Sequence, residues 1–222
     1  MKFNLRYYQF LFCRAPIDQV VKTMCIALGK ETTRFGKLQS GKYSQKLIDS
    51  TCYNNANYFH APKIRMLFFT PNIASDITTG IIVSGYAHWG AWFSHADPTL
   101  KPLSLRFTTN DKDDDAIREL AFHPYFTEYG HRRFIRVMKD PNWKLYVEGE
   151  PQSFEEGKSF EKIKGKRIKD YFTLEDLIRF VNNWGCPFDK EEFWASDQPM
   201  YVFGQLDDDD DPADWQPCSW KY

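Results

Sequence analysis

The chain has 222 residues, of which 42% are hydrophobic, including 19 Phe, 12 Tyr and 7 Trp, and this composition excludes an intrinsically disordered protein. Lys and Arg number 29 and Asp and Glu number 30, so a net charge of −1 gives no overall field of the kind that marks nucleic-acid-binding or membrane-binding proteins. At about 100–200 residues per domain, we predict one α+β domain over residues 1–222, with a subdivision near residues 110–130 as the alternative.

The N-terminal residues and the cysteines predict a cytoplasmic protein. Arg6 and Gln9 interrupt what would have to be the apolar core of a secretory signal. The longest weakly polar run, residues 80–93, falls short of the roughly 20 residues that a membrane-spanning helix needs. The five cysteines are scattered without CxxC spacing, which favours reduced thiols over a disulfide framework or a zinc ribbon.

The first half of the chain is predicted to alternate strands with one helix. Residues 3–13 are rich in Phe and Tyr and are typical of a half-buried strand. Residues 17–28 carry apolar side chains every three or four positions, which predicts a helix ending at Gly29. The polar stretch 30–62 indicates a long surface excursion, and the compact apolar run 63–70 indicates a buried strand.

Further strands are predicted over residues 78–94 and 104–109, and the acidic run Asp111–Asp115 is predicted to cap a short helix. Residues 133–139 and 143–147 flank an Asp-Pro-Asn turn and predict an antiparallel hairpin.

A helix is predicted over residues 173–184. Thr173 is its expected N-cap, Asp176 stands in the capping-box position, and Gly185 follows as the C-terminal stop. Strand-rich segments mixed with a few separated helices favour an α+β fold, with a mainly antiparallel sheet and a few packed helices.

Motifs that would indicate catalysis are weak. The chain contains no GxSxG elbow, no GxxxxGK[ST] loop and no GxGxxG loop. His95 and Asp97 have the spacing of two ligands of a metal triad, with His123 or His131 as the third. Such a site would support a metal-dependent enzyme, but an aspartate capping a turn is the favoured interpretation of this pattern.

Two charged stretches remain. Residues 158–169 contain six Lys and Arg side chains, which could contact phosphates as a nucleic-acid-binding module, although interspersed acidic residues favour a solvated face. The C-terminal region combines a run of carboxylates with aromatic side chains, and it is predicted to bind a basic protein partner. A hydrated tail without a partner is the alternative of equal weight, and a calcium ion is a third, although the run lacks the alternating ligands of an EF-hand. The predicted partner-binding residues are Asp207, Asp208, Asp209, Asp210, Asp211, Asp214, Trp215 and Trp220.

Residues 133–187 resemble a module of bacterial proteins associated with toxin-immunity loci. The matching segments are Arg133–Arg136, Asn142–Tyr146, Gly149, Phe154–Glu155, Arg167–Thr173 and Trp184–Gly185. The resemblance implies a cytoplasmic immunity protein, of the contact-dependent growth inhibition or polymorphic-toxin type, that neutralises a toxin domain. It implies no catalytic residues and no cofactor. We therefore expect a non-enzymatic protein whose partner is a cognate toxin domain, with neither a membrane nor a nucleic acid as the expected partner.

Overall fold

The computed structural model describes residues 7–28, 34–35, 65–71, 79–84, 93–94, 96–123, 133–194 and 201–204. Their strands form one antiparallel sheet in the order β2-β9-β3-β4-β1-β5-β6-β7-β8. The strands are β1 (Tyr7–Cys13), β2 (Arg34–Phe35), β3 (Arg65–Phe69), β4 (Thr79–Ser84), β5 (Leu103–Thr108), β6 (Ile117–Phe122), β7 (Arg133–Asp140), β8 (Asn142–Glu148) and β9 (Tyr201–Gly204). The helices are α1 (Ile17–Leu28), α2 (Leu174–Trp184) and α3 (Glu191–Trp194).

The α+β fold with a mainly antiparallel sheet is confirmed. The predicted strands at 3–13 and 63–70 correspond to β1 and β3, and the predicted hairpin corresponds to β7 and β8. The two longer helices also lie where the apolar periodicity placed them. None of the helices within the described ranges combines the length and the apolar composition that a bilayer crossing requires.

Two predictions between residues 78 and 122 were wrong. The strand predicted over 78–94 ends at Ser84, and Phe93 and Ser94 are helical. The helix that Asp111–Asp115 were predicted to cap is also wrong, because these residues form a turn and the strand β6 follows, paired with β5 and β7. The sequence interpretation also missed β6, whose adjacent charged residues Arg118 and Glu119 hide the alternation of a strand.

The largest cluster of buried apolar side chains lies on one face of the sheet, against α2. Strands β1, β5, β6 and β7 contribute large apolar side chains to it, namely Tyr8, Phe10, Phe12, Leu105, Phe107, Leu120, Ile135 and Val137. From α2, Leu177, Phe180, Val181 and Trp184 pack against them. Phe188, which follows the helix, is fully buried among these aromatic rings. Burial of this aromatic surface is the main favourable contribution to folding that the structure shows.

Both ends of α2 are capped as predicted. The Thr173 hydroxyl accepts a hydrogen bond from the Asp176 amide at 3.1 Å, and the Asp176 carboxylate accepts one from the Thr173 amide at 3.0 Å. At the other end, Gly185 has a φ of 109°, a conformation that residues with a Cβ rarely adopt. Arg14 donates to the Trp184 carbonyl and lies 4.6 Å from the centre of that indole ring. This contact attaches the end of β1 to the C-terminus of α2.

We expect the stability of this cap to depend on pH through Asp176. Partial burial opposes its ionisation, but hydrogen bonds from the Lys158 side chain and from the Thr173 amide outweigh burial and lower the pKa of Asp176. A carboxyl whose pKa is lower in the folded state stabilises the fold above its unfolded pKa, about 3.9, and this contribution is lost as the pH falls through the folded pKa.

The substitution Asp176→Asn should therefore lower the free energy of unfolding by about 1–2 kcal/mol at pH 7, and it should flatten the loss of stability below about pH 4. Urea unfolding at a series of pH values measures both effects. Glu175→Gln, which changes an exposed acid in the same helical turn, is the matched control and should keep the wild-type pH profile. An Asp176→Asn profile parallel to that of the wild type would contradict the prediction.

Candidate interaction surface

The residues predicted to bind the partner lie outside the described residues. They are Asp207, Asp208, Asp209, Asp210, Asp211, Asp214, Trp215 and Trp220. The last described strand before them, β9, pairs with β2 and β3. In the strand order β9 is second and β8 is last, so seven spacings of about 4.8 Å, roughly 34 Å in all, separate the two strands. Any surface on β8 is therefore distant from the strand that leads into the acidic run.

Asp97, one of the two residues of the predicted metal motif, has a structural role. Its carboxylate accepts hydrogen bonds from the Thr99 amide at 3.0 Å, the Thr99 hydroxyl at 2.6 Å and the Gln19 side chain at 2.8 Å. Partial burial disfavours its charge, but these hydrogen bonds outweigh burial and lower the pKa of Asp97. The carboxylate caps the helical turn Pro98–Leu100 and links it to α1, as the turn-capping interpretation expects.

The histidines of the same motif do not gather around Asp97 within the described part of the chain. His95 and His131 lie outside it, and His123 is buried at the end of β6, where its amide donates to the Pro102 carbonyl at 2.8 Å. Across the described ranges, no three His, Cys, Asp or Glu side chains are placed to hold a metal ion.

The two cysteines with described surroundings are structural. Cys13 and Cys186 are both buried, and neither forms a disulfide. Burial, reinforced by the nearby Cys186, raises the pKa of the Cys13 thiol, which therefore stays protonated and unreactive.

Most of the basic side chains in residues 158–169 are engaged within the protein. The engaged groups are Lys158 with Asp176, Lys169 with Asp111, Arg167 with Asp170, and Lys166 above the ring of Tyr171. Only Lys162 and Lys164 in this segment have neither a charged nor an aromatic partner among the described residues. Two such lysines are few for a phosphate-binding surface, so this arrangement favours a solvated face.

A buried ion pair joins β7 to the loop that follows β8. Arg133 donates from Nε to Glu155 Oε1 at 2.9 Å and from Nη2 to Oε2 at 2.6 Å. The Arg133 side chain is 3% exposed and that of Glu155 is 0% exposed. The other Arg133 donor reaches the Gly149 carbonyl at 2.7 Å, and Glu155 also accepts the Gln152 amide at 2.7 Å. This pairing satisfies both charges, which is the condition under which such a buried pair is tolerated.

Several residues of the segment 133–187 are therefore scaffold residues. Arg133, Gly149 and Glu155 hold the loop after the hairpin, while Thr173 and Gly185 begin and end α2. Their contacts explain why these residue types are needed at these positions, and they assign them no chemical role.

A polar row crosses the sheet face opposite the α2 core. The register places Arg106, Glu119, Arg136 and Tyr146 side by side on β5, β6, β7 and β8. Arg106 contacts the Glu119 carboxylate at 2.7 and 2.8 Å, and Arg136 donates its Nε to the same carboxylate. Two guanidinium groups thus share one carboxylate, and Glu119 fixes the orientation of both.

The polar row ends in an exposed aromatic residue. The guanidinium of Arg136 lies 4.6 Å from the ring centre of Phe134 and 6.0 Å from that of Tyr146. Tyr146 is 40% exposed, and on the same face of β8 it is flanked by Lys144 and the exposed Glu148. We call Lys144, Tyr146 and Glu148 the β8 edge surface. An oriented arginine beside an exposed tyrosine is a residue combination enriched at protein interfaces.

The sequence analysis did not predict the polar row or the β8 edge surface, because their residues come together only through the register of neighbouring strands. Arg106, Glu119 and Arg136 are far apart in the chain, and only the pairing of β5 with β6 and of β6 with β7 brings them into one row. Only the hairpin of β7 and β8, in which Arg136 pairs with Tyr146, could be predicted from the sequence.

Comparisons of the chain with protein-family models, with curated proteins and with solved structures gave no match.

Proposed function

We propose that this chain is a non-enzymatic immunity protein that acts in the cytoplasm. In this proposal it binds and neutralises a bacterial toxin domain through its acidic and aromatic C-terminal run, residues 207–220. A nuclease is the favoured class of toxin, because a nuclease cleft is lined with basic groups that bind phosphate.

The separation of charge along the chain carries this proposal. Six aspartates lie within residues 207–214, and the only basic residue from 207 onward is Lys221. Subtracting these residues from the totals leaves 28 basic and 24 acidic residues, a net charge of +4 over residues 1–206. The neutral total therefore conceals a strongly acidic segment, and its carboxylates are suited to attract and orient a basic protein surface. Trp215 and Trp220 would supply apolar contact area beside them.

The resemblance of residues 133–187 to an immunity module is the second support. The buried pair of Arg133 with Glu155 and the helix caps at Thr173 and Gly185 hold this segment in place. An immunity protein needs such a rigid frame, since a partner is bound more tightly by a surface that is already ordered.

The proposal is tested by co-purification from the native host, followed by binding kinetics with any toxin domain that is recovered. Replacement of all five residues Asp207–Asp211 by Asn should lower the association rate constant about tenfold at low salt, because it removes electrostatic steering. The variant should also depend less on ionic strength than the wild type, since fewer charges are left to be screened.

The matched control removes three exposed carboxylates elsewhere, with Glu150→Gln, Glu156→Gln and Glu161→Gln in one variant. This control should keep wild-type kinetics and should protect cells that express the toxin domain. Unchanged kinetics and protection in the five-fold Asn variant would exclude the acidic run as the binding surface. Catalytic turnover by the isolated chain would overturn the non-enzymatic function itself.

A further inference from the structure

We propose that β8 pairs with β8 of a second copy of this chain, in antiparallel orientation, to form a twofold-symmetric dimer with one sheet continuous across both subunits. The residues that face each other are those of the β8 edge surface, with Tyr146 opposite Tyr146 of the second copy. This proposal concerns the chain alone, and it does not depend on the proposed function.

The exposed edge is the first observation. Among the described strands β8 pairs only with β7, and it stands last in the sheet. It has seven residues with no proline, whereas the strand at the opposite end, β2, has two. A sheet edge of this length presents a row of backbone N–H and C=O groups that another strand can pair with. The turn Ile168–Asp170 also contacts β8. The guanidinium of Arg118 donates to the Lys169 carbonyl in this turn and lies over the ring of Trp143. The turn is therefore tied to the face of β8 that carries Trp143, opposite the β8 edge surface.

The second observation is that the side chains of β8 complement themselves. In the single chain Lys144 Nζ lies 3.0 Å from Asp140 Oδ2, in an exposed ion pair. In an antiparallel pair centred on Tyr146, Lys144 of each copy also faces Glu148 of the other, which gives two further opposite-charge pairs on one face. On the other face, Leu145 of each copy lies opposite Val147 of the other. A twofold interface requires this kind of pattern, in which a surface fits a copy of itself.

The third observation is that the central tyrosine is already oriented. The guanidinium of Arg136 lies 6.0 Å from the centre of its ring, and the same guanidinium donates a hydrogen bond to Glu119. Tyr146 is 40% exposed in the single chain, so its free ring face is available to the symmetry-related tyrosine. A strand-to-strand contact of this size is small for an interface, so we expect a dimer that dissociates at micromolar concentrations.

The experiment is sedimentation velocity of the full chain between about 1 and 200 µM, concentrations that bracket micromolar affinity. The wild-type mass should rise from that of the 26.2 kDa monomer toward twice that value. Lys144→Glu and Glu148→Lys should each weaken dimerisation about tenfold or more, because each places two like-charge pairs directly opposite one another. The double variant Lys144→Glu, Glu148→Lys restores both pairs with reversed charge, and it should regain dimerisation.

Lys162→Glu, which changes an exposed lysine away from β8, is the matched control and should dimerise as the wild type does. Circular dichroism and thermal unfolding verify that each variant is folded. The proposal is overturned if the wild type stays monomeric throughout, if the single variants dimerise normally, or if the double variant does not recover. A monomeric wild type whose β8 variants lose binding to a toxin domain would show instead that this edge receives a strand from a different protein.

Discussion

Replacing Glu155 with methionine should lower the free energy of unfolding by about 3–5 kcal/mol, because it leaves the guanidinium of Arg133 buried without its counter-ion. Arg133 is 3% exposed and makes two hydrogen bonds to this carboxylate, at 2.9 and 2.6 Å. Methionine is at least as large as glutamate, so the substitution leaves no cavity and the loss reports the charge. Urea unfolding followed by tryptophan fluorescence measures the difference.

A second variant separates the ion pair from general damage to the loop. Combining Glu155→Met with Arg133→Met removes both charges, and the double variant should recover part of the loss seen with Glu155→Met alone. Recovery should be incomplete, because Arg133 also donates to the Gly149 carbonyl at 2.7 Å. Glu156→Gln, at the exposed neighbouring position, should change stability by less than about 0.5 kcal/mol. A loss below about 1 kcal/mol for Glu155→Met would show that water or another group compensates the arginine.

Truncating Phe188 to alanine should cost about 3–5 kcal/mol, because its ring occupies the centre of the aromatic core. The ring centre lies 5.8 Å from that of Phe10, 6.2 Å from that of Phe12 and 6.1 Å from that of Phe107. Phe188 is fully buried, so its removal combines the lost transfer free energy with the cost of a cavity among rigid neighbours. Thermal and urea unfolding should both show the loss, with an unchanged denaturant m-value.

Two comparisons test the origin of that loss. Phe188→Leu retains most of the buried volume and should cost roughly half as much as the alanine variant. Ile163→Ala removes an apolar side chain that is 57% exposed, and it should cost less than about 0.5 kcal/mol. Equal losses for Phe188→Ala and Ile163→Ala would contradict the placement of Phe188 in the core.

The large losses of stability expected for Glu155→Met and Phe188→Ala also determine which positions are suitable for binding studies. Total stability of a domain is about 5–15 kcal/mol, so either change removes a large part of it. Substitutions at Arg133, Glu155 or Phe188 would reduce binding to any partner simply by unfolding the protein. The exposed residues of β8, such as Tyr146, are positions where a loss of binding can be interpreted as a loss of contact.

Local signals predicted the elements whose boundaries depend on nearby residues. The helix α2 follows from its own apolar spacing together with Thr173, Asp176 and Gly185, all within one or two turns of the helix ends. The hairpin of β7 and β8 follows from the Asp-Pro-Asn turn, which limits the chain to antiparallel return. These interactions span few residues, so a sequence window contains all the information they need.

Elements stabilised by distant residues were not predictable in this way. Arg118 and Glu119 look unfavourable for a buried strand. β6 is nevertheless an interior strand, because Arg106 and Arg136 on the neighbouring strands pair with Glu119 and the Phe172 carbonyl accepts a hydrogen bond from Arg118. β9 lies between β2 and β3 although about 130 residues of chain separate it from β3. No local pattern encodes such a pairing, because its free energy comes from contacts formed only after the sheet has assembled.

The sequence by itself determined the fold class, the positions of the longer helices, the hairpin and the acidic character of the C-terminal run, because periodicity, capping residues and charge are properties of neighbouring residues. Only the tertiary structure decided that Arg133 pairs with Glu155, that two arginines share Glu119, and that the exposed Tyr146 ends this row on the last of the described strands. Those contacts depend on strand register, and register is set by the summed packing of the whole sheet and not by any one segment.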